Sequence, residues 1–229
     1  MPIYKKVNKD FFKTWTPEMA YVLGFFAADG GMIKNKRGGY FVEFTNTDRI
    51  LLQIVKNVMS SNHKISHYNN HPEKWKTRYR IQIGSKEMFG DLIKLGFTPN
   101  KSNTLKFPNI PNVCVKDFIR GYFDGDGSVY FKKHFAKDRG KKRWVFQTRF
   151  TSGSRKFLES LHLHLKQNGV RGGFITNKIR GYDLVLSHKD GIALSHLMYD
   201  KTSASMYLKR KYLVFQKVNK ILYKNAGVA

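Results

Sequence analysis

The hydrophobic positions fall into an order that is run through twice. Met19, Val22, Leu23, Phe25 and Phe26 are apolar on every side of a helical projection, which predicts a buried helix. Thr16-Pro17-Glu18 supplies its start, with an N-cap, a proline in the first turn and an acid. Asp29-Gly30-Gly31 supplies its end. A hairpin follows, from Met32 through a turn at Arg37-Gly38-Gly39 to Thr45. Ile50, Leu51, Ile54, Val55 and Val58 mark the apolar face of a helix over 47–60. Strands are expected over 63–69 and 77–84; the second sets Tyr79, Ile81 and Ile83 against Arg78, Arg80 and Gln82. A helix over 86–95 ends at Gly96, and Pro99, Pro108 and Pro111 punctuate a connector over 98–113.

About a hundred residues later the order returns, as a repeat requires. A helix over 115–125 is followed by strands over 128–135 and 143–151, with a basic loop from Lys137 to Arg143 between them. The second strand sets Trp144, Phe146 and Phe150 against Arg143, Gln147 and Arg149. A helix over 154–168, strands over 173–178 and 181–187, a helix over 189–199 and a terminal helix over 205–222 complete it. The division is an N-terminal repeat, 1–107, with a basic lead-in to Trp15, a linker, 108–114, and a C-terminal repeat, 115–229.

Each repeat opens on the same device. Val22-Leu23-Gly24-Phe25-Phe26-Ala27-Ala28-Asp29-Gly30 and Ile119-Arg120-Gly121-Tyr122-Phe123-Asp124-Gly125-Asp126-Gly127 both carry small residues four apart and end in Asp-Gly. Residues four apart share a helix face, and a small-xxx-small face lets two helix backbones approach closely. If the two helices pack on each other, Asp29 and Asp126 meet at their tails, against mutual repulsion and two negative dipole ends. A divalent cation would resolve that conflict. Asp-Gly is also an ordinary helix-ending turn; its occurrence in both copies favours the shared site.

Composition narrows the partner. The chain has 229 residues, 41% hydrophobic and 14% aromatic, with a net charge of +26, which implies a polyanionic partner. The basic residues are spread among aromatics rather than gathered in a tail, favouring a folded nucleic-acid surface over a basic arm. One cysteine, Cys114, excludes an internal disulfide and a cysteine-rich zinc site. No apolar run spans a bilayer, and the start lacks a signal-peptide core. His63, His67 and His71 lie four apart but fall on strand and loop, without the glutamate of a His-Glu-x-x-His helix. Arg and Gln on one strand face are the side chains that read guanine and adenine edges, although a solvated strand face uses them too.

The two motif segments, each followed by strand pairs, resemble the LAGLIDADG homing endonucleases in their single-chain, two-repeat form. The resemblance covers nearly the whole chain. The first motif departs from the family pattern at Ala27, where an acid usually sits; the last acid of each motif is present. The resemblance implies an α+β fold: two pseudo-symmetric αββαββα repeats forming a saddle of antiparallel sheets, with the motif helices packed at the centre. It implies a monomer that cuts both strands of a long double-stranded DNA site by metal-dependent hydrolysis. Mg²⁺ would be the cofactor, with Mn²⁺ able to substitute and Ca²⁺ supporting binding only. Asp29 and Asp126 become the catalytic acids and metal ligands, with the carbonyls of Ala28 and Gly125 nearby. Basic residues that the family places after the second helix of each repeat carry over to Lys101 and Lys201, and a polar position at the end of the second strand to Asn46 and Ser152. The DNA-contacting candidates are Asn35, Arg37, Glu43, Asn46, Arg78, Arg80, Gln82, Lys132, Arg143, Gln147, Arg149, Ser152, Lys178 and Arg180. A rival from another class is a non-cleaving binder on the same fold, either a maturase on host intron RNA or a DNA-binding regulator. Either places the chain with its host's nucleic acid rather than a membrane.

Overall fold

The structure is a computed structural model that describes residues 5–69, 73, 76–200, 202 and 206–223. Two helices cross at its centre, α1 (Pro17–Asp29) and α4 (Asn112–Asp126). Thr16 caps α1 by accepting from the Met19 N–H at 3.1 Å. The crossing is set by glycine. A Cβ on Gly24 would overlap the Phe118 carbonyl, and one on Gly121 the Tyr21 carbonyl, so each helix presses its backbone onto the other at its bare position. A Cβ on Gly125 would lie 2.5 Å from that of Ala28. Tyr21, Phe25, Phe26, Phe118, Tyr122 and Phe123 surround the seam and are essentially inaccessible to solvent.

Each central helix runs into a four-stranded antiparallel sheet. The first contains β1 (Gly30–Lys34), β2 (Tyr40–Asn46), β3 (Ser66–Tyr68) and β4 (Arg78–Gly84), in the order β1-β2-β4-β3. The second contains β5 (Gly127–Ala136), β6 (Lys141–Ser152), β7 (Phe174–Lys178) and β8 (Gly181–Ser187), in the order β5-β6-β8-β7. The registers superimpose: Gly30 pairs with Phe44 and Gly127 with Phe150. Helices α2 (Arg49–Val58) and α3 (Lys86–Lys94) pack on the first sheet, α5 (Arg155–Gln167) and α6 (Lys189–Tyr199) on the second. α7 (Lys209–Val218) lies against β5 and α6 and ends in a π-helical turn, Asn219–Tyr223.

The strand faces alternate as the pattern requires. Ile81 and Ile83 are buried on the helix-covered face while Arg78, Arg80 and Gln82 face outward; Phe146, Thr148 and Phe150 are buried while Gln147 and Arg149 face outward. Four expectations are corrected. The lead-in is anchored: Phe11 and Phe12 enter the core, and the Asn8 N–H donates to the Met59 carbonyl at 3.0 Å. The basic loop from Lys137 to Arg143 is shorter than expected: it is one 3-10 turn, Lys137–Arg139, closed by Gly140 at φ +60°, and its last three residues already belong to β6, which begins at Lys141. α4 begins at Asn112, within the expected linker. The terminal helix starts at Lys209 rather than near 205; of its expected span, residue 205 lies outside the described residues. His63 is buried and bonded to Ser61 Oγ, His67 sits in β3, and His71 lies outside the described residues.

Two glycine substitutions should separate propensity from packing. Gly90 lies in α3 with open space where a Cβ would project. Gly90→Ala should stabilise by about 0.5–1 kcal/mol. Gly121→Ala carries the same propensity gain but forces α1 and α4 apart, and should destabilise by about 1–3 kcal/mol. Denaturant titration of both variants checks the sign; two shifts in the same direction would remove the close crossing.

Candidate active site

Asp29 and Asp126 are the last residues of α1 and α4, so the crossing that joins the helices also brings their tails together. They share the wall of a cavity of about 350 Å³ with Ala28, Gly30, Gly125, Thr45, Asn46, Thr47, Arg78, Lys101 and Ser102. A Cβ on Gly125 would sit 3.1 Å from Asp29 Oδ2, so this glycine keeps the floor between the acids open. Thr45 and Arg78 share the outward sheet face of Arg80 and Gln82, so the cavity is continuous with that face.

The electrostatics are those of two acids forced together. Burial raises the Asp29 pKa, opposed by Asn46 and by the charges of Lys101, Lys211 and Arg78. Burial and then the Asp29 charge push Asp126 up to about 7. The two differ because Asn46 Nδ2 donates to Asp29 Oδ2 at 2.6 Å, whereas no hydrogen-bond donor serves the Asp126 carboxylate among the described residues. The Asn46 amide is fixed from both ends, since its Oδ1 accepts from the Asp48 N–H at 2.7 Å. Asp48 is held by Arg210 of α7, with Nη2 at 2.6 Å. Ser152, the register equivalent of Asn46, does not match it. Its hydroxyl is buried and accepts from the Ser154 N–H at 3.1 Å, so the expected DNA-facing role is corrected to an internal turn.

Lys101 opens a 3-10 turn, Lys101–Asn103, after Asn100, which takes the left-handed conformation at φ 59°. Its ammonium donates to the Gly30 carbonyl at 2.7 Å and lies 5.3 Å from the Phe26 ring centroid. Burial pulls its pKa down to about 8, against the pull of Asp126 and Asp29. Lys201 lies outside the described residues. Among those described, the lysine that mirrors Lys101 is Lys211, on α7. It donates to the Gly127 carbonyl at 2.5 Å, as Lys101 does to Gly30, and lies 5.2 Å from the Phe123 ring, as Lys101 does from Phe26. Lys211 also donates to the carbonyls of Phe123 at 2.6 Å and Asp124 at 2.9 Å, so all three of its N–H groups are taken. Its sequence signal was a charge at a core position: Leu208, Lys211, Phe215 and Val218 share a helical spacing and are all buried.

Asp124, at the position where the first motif has Ala27, is buried. It accepts from Tyr21 Oη and from the Leu208 N–H, both at 2.8 Å, tying α1, α4 and the start of α7 together. Arg120, fully buried, was missed as a clamp. It holds the Met198 and Met206 carbonyls at 3.0 and 2.8 Å and Asp117 at 2.7 Å.

The remaining candidates divide by what they already touch. Arg37, Lys132, Arg143 and Arg180 are exposed. Asn35 spends its side-chain oxygen on the Arg37 and Gly39 N–H groups at 3.0 and 2.7 Å, building the hairpin turn. Glu43 accepts from Arg80, at 3.4 Å, and from Gln82, so these three act as one cross-strand unit. Gln147 accepts from Arg149 Nε at 2.8 Å. Lys178 lies 3.4 Å from Asp183, an acid of this face that sequence reasoning missed; Thr151 also donates to Asp183, at 2.6 Å. Arg180 and Lys178 line a second, open groove of about 700 Å³ with Asn103 and Asn177.

The raised acids set a pH dependence. A carboxyl whose pKa is higher folded than unfolded binds its proton more tightly when folded, so stability falls as pH rises from the unfolded value, near 4, through the folded one. For Asp126 that window closes at about 7, and for Asp124 at about 6. Metal-free protein should melt at a lower temperature at pH 7.5 than at pH 5, and Asp126→Asn should flatten the part of the slope above pH 6. An unchanged slope in that variant would place the titration elsewhere.

A family model for the LAGLIDADG-like domain matches residues 16–94 and 114–190, one stretch in each repeat. The solved structure of the meganuclease I-SmaMI bound to an uncleaveable DNA superimposes with a TM-score of 0.62 at 15% identity, covering 91% of this chain and 92% of that one. The homing endonuclease I-WcaI bound to its DNA recognition sequence superimposes with a TM-score of 0.61 at 17% identity, covering 89% and 91%. An uncharacterized protein of Methanocaldococcus jannaschii, MJ0398, is 25% identical over 91% of this chain and 77% of its own length. The doubled match, the paired sheets and the glycine crossing agree: the chain belongs to the LAGLIDADG homing endonuclease family, in its single-chain, two-repeat form.

Proposed function

We propose that this protein makes a double-strand break in a long DNA site by Mg²⁺-dependent hydrolysis at the cavity between the two central helices. The observation that carries the reading is the pair of acids at the tails of α1 and α4, brought together beneath an outward, basic sheet face. The family's endonucleases use divalent metals, and the donor set fits one. A dication relieves both causes that push Asp126 up to about 7, its burial and the neighbouring Asp29 charge. Among the described residues no third His, Cys, Asp or Glu joins them. That suits Mg²⁺, which keeps its waters and takes phosphate oxygens rather than a full protein cage. Asp29 and Asp126 would hold it, with the Ala28 and Gly125 backbone beside them; when bound it supplies charge neutralisation at the phosphate and a more acidic water.

The chain's own groups supply the rest. Asn46 fixes the orientation of Asp29 and leaves its other oxygen to the cavity. Among the described residues Lys101 has one acceptor, the Gly30 carbonyl, which leaves two of its N–H groups for a phosphate oxygen at the cavity it lines. Preorganised donors of this kind stabilise charge that develops in the transition state. Lys211 has none to spare and holds the end of α4, which carries Asp126. The two lysines are therefore alike in place and unlike in task. Among the described residues no cysteine or histidine lines this cavity, and the attacking group in this reading is water.

A cleavage selection on a randomised duplex library with Mg²⁺, against a Ca²⁺ control for binding alone, tests the reading. Asp29→Asn or Asp126→Asn should abolish cutting and leave binding largely intact; retained cutting would remove the site assignment. Lys101→Met should slow cutting by about 10²–10³-fold with a small change in melting temperature. Lys211→Met should instead lower stability by about 3 kcal/mol, because it strips three buried carbonyls and the partner of Asp124. Equal effects on cutting and folding from both variants would refute the division. Arg149→Ala should relax base preference locally, and a uniform loss of affinity would mark a phosphate contact instead.

A further inference from the structure

The two hairpins that leave the central helices are unequal. β1 and β2 have 5 and 7 residues, and their pairing runs from Gly30–Phe44 to Lys34–Tyr40. β5 and β6 have 10 and 12, and their pairing runs from Gly127–Phe150 to Ala136–Lys141. Since the inner ends superimpose, the outer pairs, from Lys132–Val145 to Ala136–Lys141, are an extension without a counterpart in the first repeat. Five pairs at about 3.4 Å each carry it about 17 Å further out.

The extension leaves the core behind. Up to Phe131 and Phe146 the inner face of the hairpin is buried, and beyond them Lys133, Phe135 and Lys142 are exposed. Phe131 stacks on Trp144 at 4.4 Å between centroids and marks the last apolar layer. The ribbon from Lys132 to Arg143 carries Lys132, Lys133, Lys137, Arg139, Lys141, Lys142 and Arg143 against a single acid, Asp138. On the outward face, continuous with Gln147 and Arg149, lie Lys132, His134, Lys141 and Arg143. The matching face of the first hairpin has Ile33, Phe41 and Glu43. A two-stranded ribbon fits the major groove of duplex DNA. Lysine acts there as a point charge for phosphates rather than as a fork for base edges.

We propose that the C-terminal repeat grips duplex about five base pairs further from the cut than the N-terminal repeat does, and does so through phosphate contacts of the β5–β6 ribbon. This rests on the DNA-cleaving reading above and specifies its substrate. The outer segment on that side contributes affinity and salt dependence with little base preference, whereas the inner contacts of both sheets read sequence.

The full chain, bound in Ca²⁺ to a duplex recovered by the cleavage selection, is footprinted with hydroxyl radicals on both strands. Protection should reach about five base pairs further on one side of the cut. The triple variant Lys132→Ala, Lys141→Ala, Arg143→Ala should lose protection on that side alone and lower the slope of log affinity on log salt by about two to three. The matched triple in the first hairpin, Lys34→Ala, Lys36→Ala, Arg37→Ala, should leave the long side intact. A footprint symmetric about the cut, or one whose long side survives the ribbon variant, overturns the proposal while leaving the nuclease reading in place. Failure to recover any cut or protected duplex removes both.

Discussion

The contact on which this structure depends is the one between two helix backbones at Gly24 and Gly121. With a side chain at either place the helices would stand further apart, and the acids one turn and more beyond would separate with them. Everything chemical lies at the end of that lever. The aromatic shell around the seam, Tyr21, Phe25, Phe118 and Tyr122, excludes water and gives the crossing its stability. It also creates the low-polarity setting that makes two adjacent carboxylates so unfavourable without a cation. Burial in that setting, together with the Asp29 charge, is what raises the pKa of Asp126.

The pseudo-twofold is kept where backbone matters and broken where side chains matter. Both helices end in Asp-Gly with the glycine N–H bonded to the carbonyl three residues before the acid, and both have a lysine on the glycine carbonyl. Yet Asn46 supports one acid and Ser152 turns away from the other. One lysine keeps free donors and its mirror keeps none. α7 is part of the reason: it has no partner in the first repeat, and its neighbouring residues Arg210 and Lys211 reach Asp48 in one half and the end of α4 in the other. A chain with two copies of a motif can vary each half separately. A duplex with two different half-sites is the kind of substrate that makes use of that freedom.

The sheet faces show the same economy of placement. Arg80, Gln82 and Glu43 restrain one another across strands, and Gln147 and Arg149 do so along one strand, so these polar side chains enter an encounter already oriented. Holding a long side chain in place before binding lowers the entropy lost on binding. Asp183 does similar work in the second sheet, within 4 Å of both Lys178 and Arg149. An acid on a DNA-facing surface is costly if free and useful if it fixes the geometry of cations around it.

By itself the sequence determined the elements, the duplication and the two acids. These depend on periodicity, caps and small-residue spacing, which are local and survive without coordinates: the alternation from Arg78 to Ile83 and the spacing of Gly24, Ala28, Gly121 and Gly125 were enough. Only the tertiary structure showed that Lys211, from a helix that has no counterpart in the first repeat, meets the Gly127 carbonyl as Lys101 meets that of Gly30. It alone showed that Ser152 is buried, that the Asn35 side-chain oxygen is spent on its own turn, and that the end of an expected basic loop is paired strand. Each of these turns on where a side chain's hydrogen bonds go or on which strand lies opposite, and such partners come from parts of the chain that spacing cannot connect.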